Sequence, residues 1–221
     1  MPLTLYMEYL SPPSRAVMMT IEALGLNVEY VTVKLEKGEH LKPDFLKKNP
    51  LHTVPTLVDE GTIICDSHAI MSYLVSKYSR EDSLYPKDLK KRAMVDQKLH
   101  FDTGFLFIHL RNFVKKCYSG RCKSVEEYEK VFMTQGYDFM ESFLNQSSYV
   151  AGDNLTIADF SAITSLEGMN MLVPIDEVAH PKLVNWMKKM RELPYYQKIN
   201  QTGIKDLKDF LVALSDGEIE C

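Results

Sequence analysis

Four cysteines in 221 residues, Cys65, Cys117, Cys122 and Cys221, have neither zinc-ligand spacing nor a C-x-x-C pair. That pattern excludes dithiol redox chemistry and a structural zinc site, and no metal is expected. Cys117 and Cys122 are near enough in sequence to be bridged across Tyr118-Ser119-Gly120-Arg121, but free thiols are the expectation in a reducing compartment. Neither sign of charge is in excess. Lys and Arg number 26 against 30 Asp and Glu, a net −4, so bulk charge recruits neither nucleic acid nor an anionic membrane. Nothing approaches the roughly 18 apolar residues of a membrane span, and the opening M-P-L-T-L-Y lacks a basic n-region and a long apolar run. A soluble cytoplasmic chain is therefore expected, long enough for one large domain or two small ones.

What is present centres on residues 49–73. Two short apolar runs, 54–58 and 62–65, flank Asp59-Glu60-Gly61, as in a β-hairpin. Asp66-Ser67 then offers cap-type residues ahead of Ala69, Ile70, Tyr73 and Leu74 at helical spacing. Pro55 has no N–H for a sheet ladder, so it marks an edge, a bulge or a cis bond. A cis Val54-Pro55 bond leaves the Val54 amide and carbonyl to an extended peptide, while the N–H groups at the Ser67 helix start suit a carboxylate. Together these residues read as a peptide-binding edge beside an anion hole.

In chain order, residues 3–7 and 28–33 alternate like strands around a helical stretch at 14–24 that Gly25 closes. Pro43 opens a short helix, and the hairpin and helix follow. Residues 1–80 thus spell βαβαββα, a thioredoxin-like α/β domain. In that layout the turn Leu10-Ser11-Pro12-Pro13-Ser14-Arg15 stands where thioredoxins carry their two cysteines. A hydroxyl at a helix start is too weak a base to act alone, but it can donate a hydrogen bond to another molecule's thiolate. Lowering a thiol from about 8.5 to about 6.5 takes about 2.7 kcal/mol, within reach of one charge-assisted hydrogen bond and a helix dipole. From spacing alone the same residues also suit a plain turn and N-cap.

Residues 81–89 read as a linker, and 90–221 as an all-helical bundle. Val95, Leu99, Leu106, Leu110 and Phe113 share a stripe on a long helix near 90–116; a second helix spans about 124–145 with Gly136 at a close contact. Thr156 and Asp159 have capping-box spacing, which marks the helix that follows as the buried centre of the bundle. Pro181 opens a helix with Leu183, Trp186 and Met190 on one face, and a last amphipathic piece covers 205–214.

These pieces carry a resemblance. The stretches L-S-P-P-S-R-A at 10–16, G-E-H-L-K-P-D-F at 38–45, N-P-L-H-T-V-P-T-L at 49–57, D-S-H-A-I at 66–70, S-L-Y-P-K-D at 83–88 and V-A-G-D-N-L-T-I-A-D-F-S at 150–161 occur in this order. In that conjunction the sequence resembles a cytosolic glutathione transferase of the insect delta/epsilon type, closest to epsilon, along its whole length. The resemblance implies glutathione as co-substrate, with Ser11 stabilising its thiolate and the Val54 main chain, beside Pro55, pairing with the cysteinyl part. It places Asp66 and Ser67 at the γ-glutamyl end and His40 and His52 near the glycyl end, with Thr53 also among the glutathione-binding residues. His68, within the D-S-H-A-I motif, is counted with this set and also suits a subunit contact. Arg111 corresponds to a long-helix arginine facing the cleft. The family often has cysteine or an aliphatic residue at the position of Ser14, so a second hydroxyl is expected near the pocket here.

Four phenylalanines between 101 and 113 give the long helix more apolar girth than one core stripe needs. Phe107, Leu110, Phe113, Val114 and Tyr118, with Leu10, Ser14 and Phe210, are assigned to the wall for a hydrophobic second substrate. Met71 and Phe101 are assigned to the contact of a two-fold homodimer. The expected activity is conjugation of the glutathione thiolate to hydrophobic electrophiles in detoxification, with peroxidase or dehydrochlorinase turnover open. The alternative is a non-catalytic, glutathione-dependent carrier of hydrophobic ligands.

Overall fold

The computed structural model describes residues 3–120 and 124–214. Cys122 and Cys221, and with them any Cys117–Cys122 bridge, lie outside the described residues; Cys65 is free and Cys117 is buried. Strand β1 (Thr4–Met7) leads through helix α1 (Pro12–Ala23) to β2 (Glu29–Thr32), and two short 3-10 turns precede α2 (Pro43–Leu46). The hairpin β3 (Thr56–Asp59) and β4 (Thr62–Cys65) then feeds α3 (Ser67–Tyr78). The sheet order is β2-β1-β3-β4, with β1 parallel to β2 and antiparallel to β3. This is the expected βαβαββα order with a mixed sheet. Leu5 and Met7 of β1 are buried against the helices, and α1 is wedged between α3 and a helix of the second half.

The rest of the described chain is helical: α4 (Leu89–Phe101), α5 (Phe107–Tyr118), α6 (Glu127–Leu144), α7 (Ile157–Leu172), α8 (Pro181–Arg191) and α9 (Thr202–Leu214). The single long helix expected near 90–116 is α4 and α5 joined by a π-helical turn at Asp102–Leu106. That turn contains Gly104, a weak helix former, and holds Asp102 inside the protein. Gly136 of α6 does mark a close approach, since a Cβ there would sit 3.0 Å from Leu106 Cδ2 and 3.2 Å from Met169 Cε.

Helix α7 is the axis of the second half: of its 16 residues all but Asn170 and Met171 are buried. Its start is the capping box read from Thr156 and Asp159, and Asp159 does more than close it. The Thr156 N–H and hydroxyl donate to Oδ2 at 2.9 and 3.0 Å, while the Val150 N–H and Trp186 Nε1 donate to Oδ1 at 2.9 and 3.0 Å. One buried carboxyl thus ties α7 to the preceding loop and to α8.

Among the described residues, no helix is long and apolar enough to cross a membrane, and no group of His, Cys, Asp and Glu is placed to hold a metal ion.

Candidate active site

The sheet register gathers the candidate residues at one end. Thr56 pairs with Tyr6 of β1 on one side and Cys65 of β4 on the other. The turn after β1, the residues just before β3 and the start of α3 therefore emerge side by side. Thr32 pairs with Met7, so the segment after β2 leaves from the same end.

Ser11 is the N-cap of α1: the Ser14 N–H donates to its Oγ at 3.3 Å. Proline at the first turn of α1 needs no N–H partner there. The turn is fixed from beneath by Arg15, whose side chain is fully buried. Its guanidinium donates to Tyr9 O at 2.7 Å, Leu10 O at 3.1 Å, Asn200 Oδ1 at 2.7 Å and, more weakly, Thr164 O at 3.5 Å. Burial without a carboxylate in hydrogen-bonding contact lowers its pKa to about 10, against the pull of the Tyr196, Glu167 and Asp206 charges.

The Val54-Pro55 bond is cis. The Val54 N–H and C=O make no hydrogen bond among the described residues, while the Thr53 carbonyl accepts from Asn49 Nδ2 at 2.9 Å and Thr56 Oγ1 at 3.0 Å. Asn49 also donates to Thr56 Oγ1 at 2.9 Å and caps Leu51 N through Oδ1, holding the whole loop. At α3, Asp66 adopts φ 78, ψ 124, a conformation that non-glycine residues rarely take. Its Oδ1 accepts from His68 N at 2.9 Å and Ala69 N at 3.2 Å, and the hydroxyl of buried Ser67 has no protein partner among the described residues.

His40 and His52 come together, with ring centroids 6.1 Å apart. Burial, reinforced by the neighbouring His52, lowers the pKa of His40, and its buried Nδ1 has no partner. Such an orphaned atom suits a ligand group. Arg111 is exposed on α5 and makes no ion pair among the described residues.

The structure corrects several expectations. Both ring nitrogens of His68 are engaged within the chain: Nε2 lies 2.7 Å from Ser161 Oγ and 3.4 Å from Asp102 Oδ2, and Nδ1 lies 3.0 Å from Thr103 Oγ1. His68 thus braces the α3 start against the π turn and α7 and is not turned toward a ligand. Ser14 is 0 % exposed and its Oγ accepts the Glu8 N–H at 3.4 Å, so it is internal scaffolding and not pocket wall. Leu110 and Phe113, at 1 % and 0 % exposure, are core residues on the α7 side of α5. A Cβ on Gly168 would meet Leu110 Cδ2 at 2.5 Å, which shows how closely that face is packed. Met71 is likewise buried within the protomer and offers nothing to a partner. By contrast Leu10, Phe107 and Val114 are half-buried, and Tyr118 and Phe210 meet with ring centroids 5.1 Å apart. Asn49, Arg15, Asn200 and the Asp102–Ser161 pair were missed, because their partners are set by tertiary contact and not by local spacing.

A thioredoxin-like sheet with a serine-capped α1, a cis-proline strand entry and an all-helical second half defines the two-part architecture of a glutathione-dependent transferase. Residues 1–76 match the family model of the glutathione S-transferase N-terminal domain, and residues 105–194 that of its C-terminal domain. Glutathione S-transferase 1 of Manduca sexta is 48% identical over 217 residues, covering 96% of this chain and 99% of that protein. Among solved structures, an epsilon-class glutathione S-transferase from the housefly, Musca domestica, superposes with TM-score 0.94 at 46% identity, covering 96% and 98% of the two chains. A glutathione transferase homologue from Drosophila mojavensis with bound glutathione superposes with TM-score 0.91 at 44% identity over 98% and 97%. The chain belongs to the glutathione S-transferase family, and its close structural neighbours include epsilon-class enzymes.

Proposed function

We propose that the protein conjugates the thiolate of reduced glutathione to hydrophobic electrophiles, and that residues 1–80 hold glutathione while 90–221 supply the second-substrate surface. One observation carries this reading: Ser11, the unpaired main chain of Val54, and Asp66-Ser67 leave the sheet at one end, through strands paired in register. An extended tripeptide along Val54 would place its γ-glutamyl carboxylate at the N–H groups of α3 and its glycyl end toward His40, His52 and Thr53. Its sulfur would lie at Ser11 and the start of α1, where a hydroxyl donor and the helix dipole favour the anion. The rate gain then comes from a larger thiolate fraction and from holding the electrophile beside it, with no acid or base from the protein. Leu10, Phe107, Val114, Tyr118 and Phe210 remain as the apolar wall.

The test is Ser11→Ala, assayed with a neutral aryl halide at saturating glutathione. Returning the thiol from about 6.5 to about 8.5 cuts the thiolate fraction at neutral pH roughly 25-fold, so kcat should fall about 10- to 30-fold with glutathione affinity nearly unchanged. Undiminished turnover would refute the role of Ser11.

Two copies of the chain are further proposed to form an isologous dimer. A band of rings on α4, α6 and the π turn supports it: Phe101 stacks on Phe105 at 5.6 Å, both meet Phe139 edge-on, and Phe132 and Phe139 stay 42 % and 38 % exposed. Exposed clustered rings of this kind mark association surfaces. Phe139→Asp should shift the sedimentation coefficient from dimer to monomer.

A further inference from the structure

Glu8 has no part in the chemistry above. It directly follows β1 and is 7 % exposed, yet its carboxyl is held by main-chain N–H groups, with the Tyr9 N–H reaching Oε1 at 2.8 Å. Among the described residues no lysine or arginine lies in ion-pair range of it and no side chain donates to it. A buried carboxyl ordinarily finds a cation or several side-chain donors, because taking the charge from water is costly.

Its position is specific. The Ser11 N–H donates to Glu8 O at 3.1 Å, and the Glu8 N–H donates to Ser14 Oγ at 3.4 Å, so Glu8 grows from the turn that presents the Ser11 hydroxyl. The charges that act on it are those of Lys34 and Glu36 from the segment after β2, and its own charge acts on Tyr118 at the end of α5. Burial raises the Glu8 pKa against the Tyr9 N–H; Glu36 adds to the rise and Lys34 opposes it. The Tyr118 hydroxyl is pushed up to about 12 by burial and by the negative charges of Glu36 and Glu8. Tyr118 is also the ring that meets Phe210 at a tilt at the proposed second-substrate wall. Glu8 is thus joined through its main chain to the turn of the candidate nucleophile, and its charge is felt at Tyr118 on the proposed apolar wall.

We infer that Glu8 gives this apolar cleft an acidic end, making it a specificity-determining residue that favours hydrophobic electrophiles carrying a cationic or hydrogen-bond-donating group over anionic ones. The inference rests on the transferase reading above. A buried charge acts through a low effective dielectric, so it discriminates between substrate charges more strongly than a solvated surface carboxylate.

Three aryl halides sharing one ring system, one neutral, one bearing a trimethylammonium group and one a carboxylate, provide the test at saturating glutathione. In the native enzyme the cationic halide should exceed the anionic one in kcat/KM by at least about tenfold near neutral pH, after correction for the uncatalysed rates. The ratio should fall as pH is lowered and Glu8 takes up its proton, beginning above the ordinary glutamate range because its pKa is raised. In Glu8→Gln the ratio should collapse to within about threefold and lose its pH dependence, whereas Glu36→Gln, at an exposed position, should keep most of it. A native enzyme without cationic preference, or a Glu8→Gln enzyme that retains it, overturns the inference. If Glu8→Gln does not fold, Glu8→Leu and the native pH profile decide the matter. Failure to turn over the neutral halide would overturn the transferase reading instead; charge preference is then read from equilibrium binding of unreactive amine and acid analogues.

Discussion

Asp59, at the end of β3, accepts from three groups at once: Lys77 Nζ at 2.8 Å and the Tyr73 and Tyr78 hydroxyls at 2.7 Å each. Burial pushes its pKa up, but the three hydrogen bonds and the lysine charge outweigh that and leave it lowered. The folded protein therefore holds the carboxylate more acidic than the unfolded chain does. The stability this gives is fully present above about pH 4 and is lost as pH falls through the depressed folded value. Asp59→Asn should cost about 2 kcal/mol at neutral pH, a modest figure because Lys77 is partly in water, and should flatten the acid limb of a urea-midpoint versus pH curve. Arg15 poses the opposite problem, a buried cation satisfied by carbonyls and an amide. Arg15→Met strands those acceptors and should lower stability by about 3 kcal/mol or more, with the Ser11 turn loosened as well. Denaturant melts measure the first effect, and a smaller thiolate absorbance of bound glutathione the second.

Secondary elements differ in how far their own residues announce them. The start of α7 was legible because the box is local: Thr156 and Asp159 three positions apart ahead of an apolar run require it. The hairpin and Pro181 at the head of α8 were legible for the same reason, whereas Pro55 by itself left an edge, a bulge or a cis bond open, of which the cis bond is the one present. The π turn at Asp102–Leu106 was not legible, since an apolar stripe continues through it from Val95 to Phe113. The turn at Tyr196–Gln201 was hidden likewise, and its Asn200 meets Arg15 from 185 positions away. In the cleft, residue type identified Tyr118 and Phe210 but also Leu110 and Phe113, because a helix with rings on several sides does not reveal which side the bundle covers. Two changes weigh these elements. Asp159→Ala leaves four buried donors without an acceptor, so it should cost about 4 kcal/mol and stand among the most damaging single substitutions in urea unfolding. Gly168→Ala drives a methyl into Leu110 and should cost about 1–3 kcal/mol in the same assay.

The two halves share one packing problem at the place where the chemistry is proposed. Helix α1 lies against α7 as well as α3, and Arg15 reaches from α1 to Thr164 of α7 and to Asn200. A melt followed by far-ultraviolet circular dichroism and by the fluorescence of Trp186, the single tryptophan, should thus give one coincident transition, not two. The tightest point of that junction is Gly203 near the start of α9. A Cβ there would meet the Arg15 side chain and lie 2.6 Å from the carbonyl of Tyr9. Backbone gives way less readily than a flexible side chain, so an alanine has to push α9 outward. Phe210 lies seven residues further along the same helix, against Tyr118, and moves with it. Gly203→Ala should then cost about 1–3 kcal/mol in stability and also raise KM for the neutral aryl halide, with KM for glutathione much less affected. A loss confined to stability, with both KM values unchanged, would mean that α9 does not position the second-substrate wall relative to Ser11.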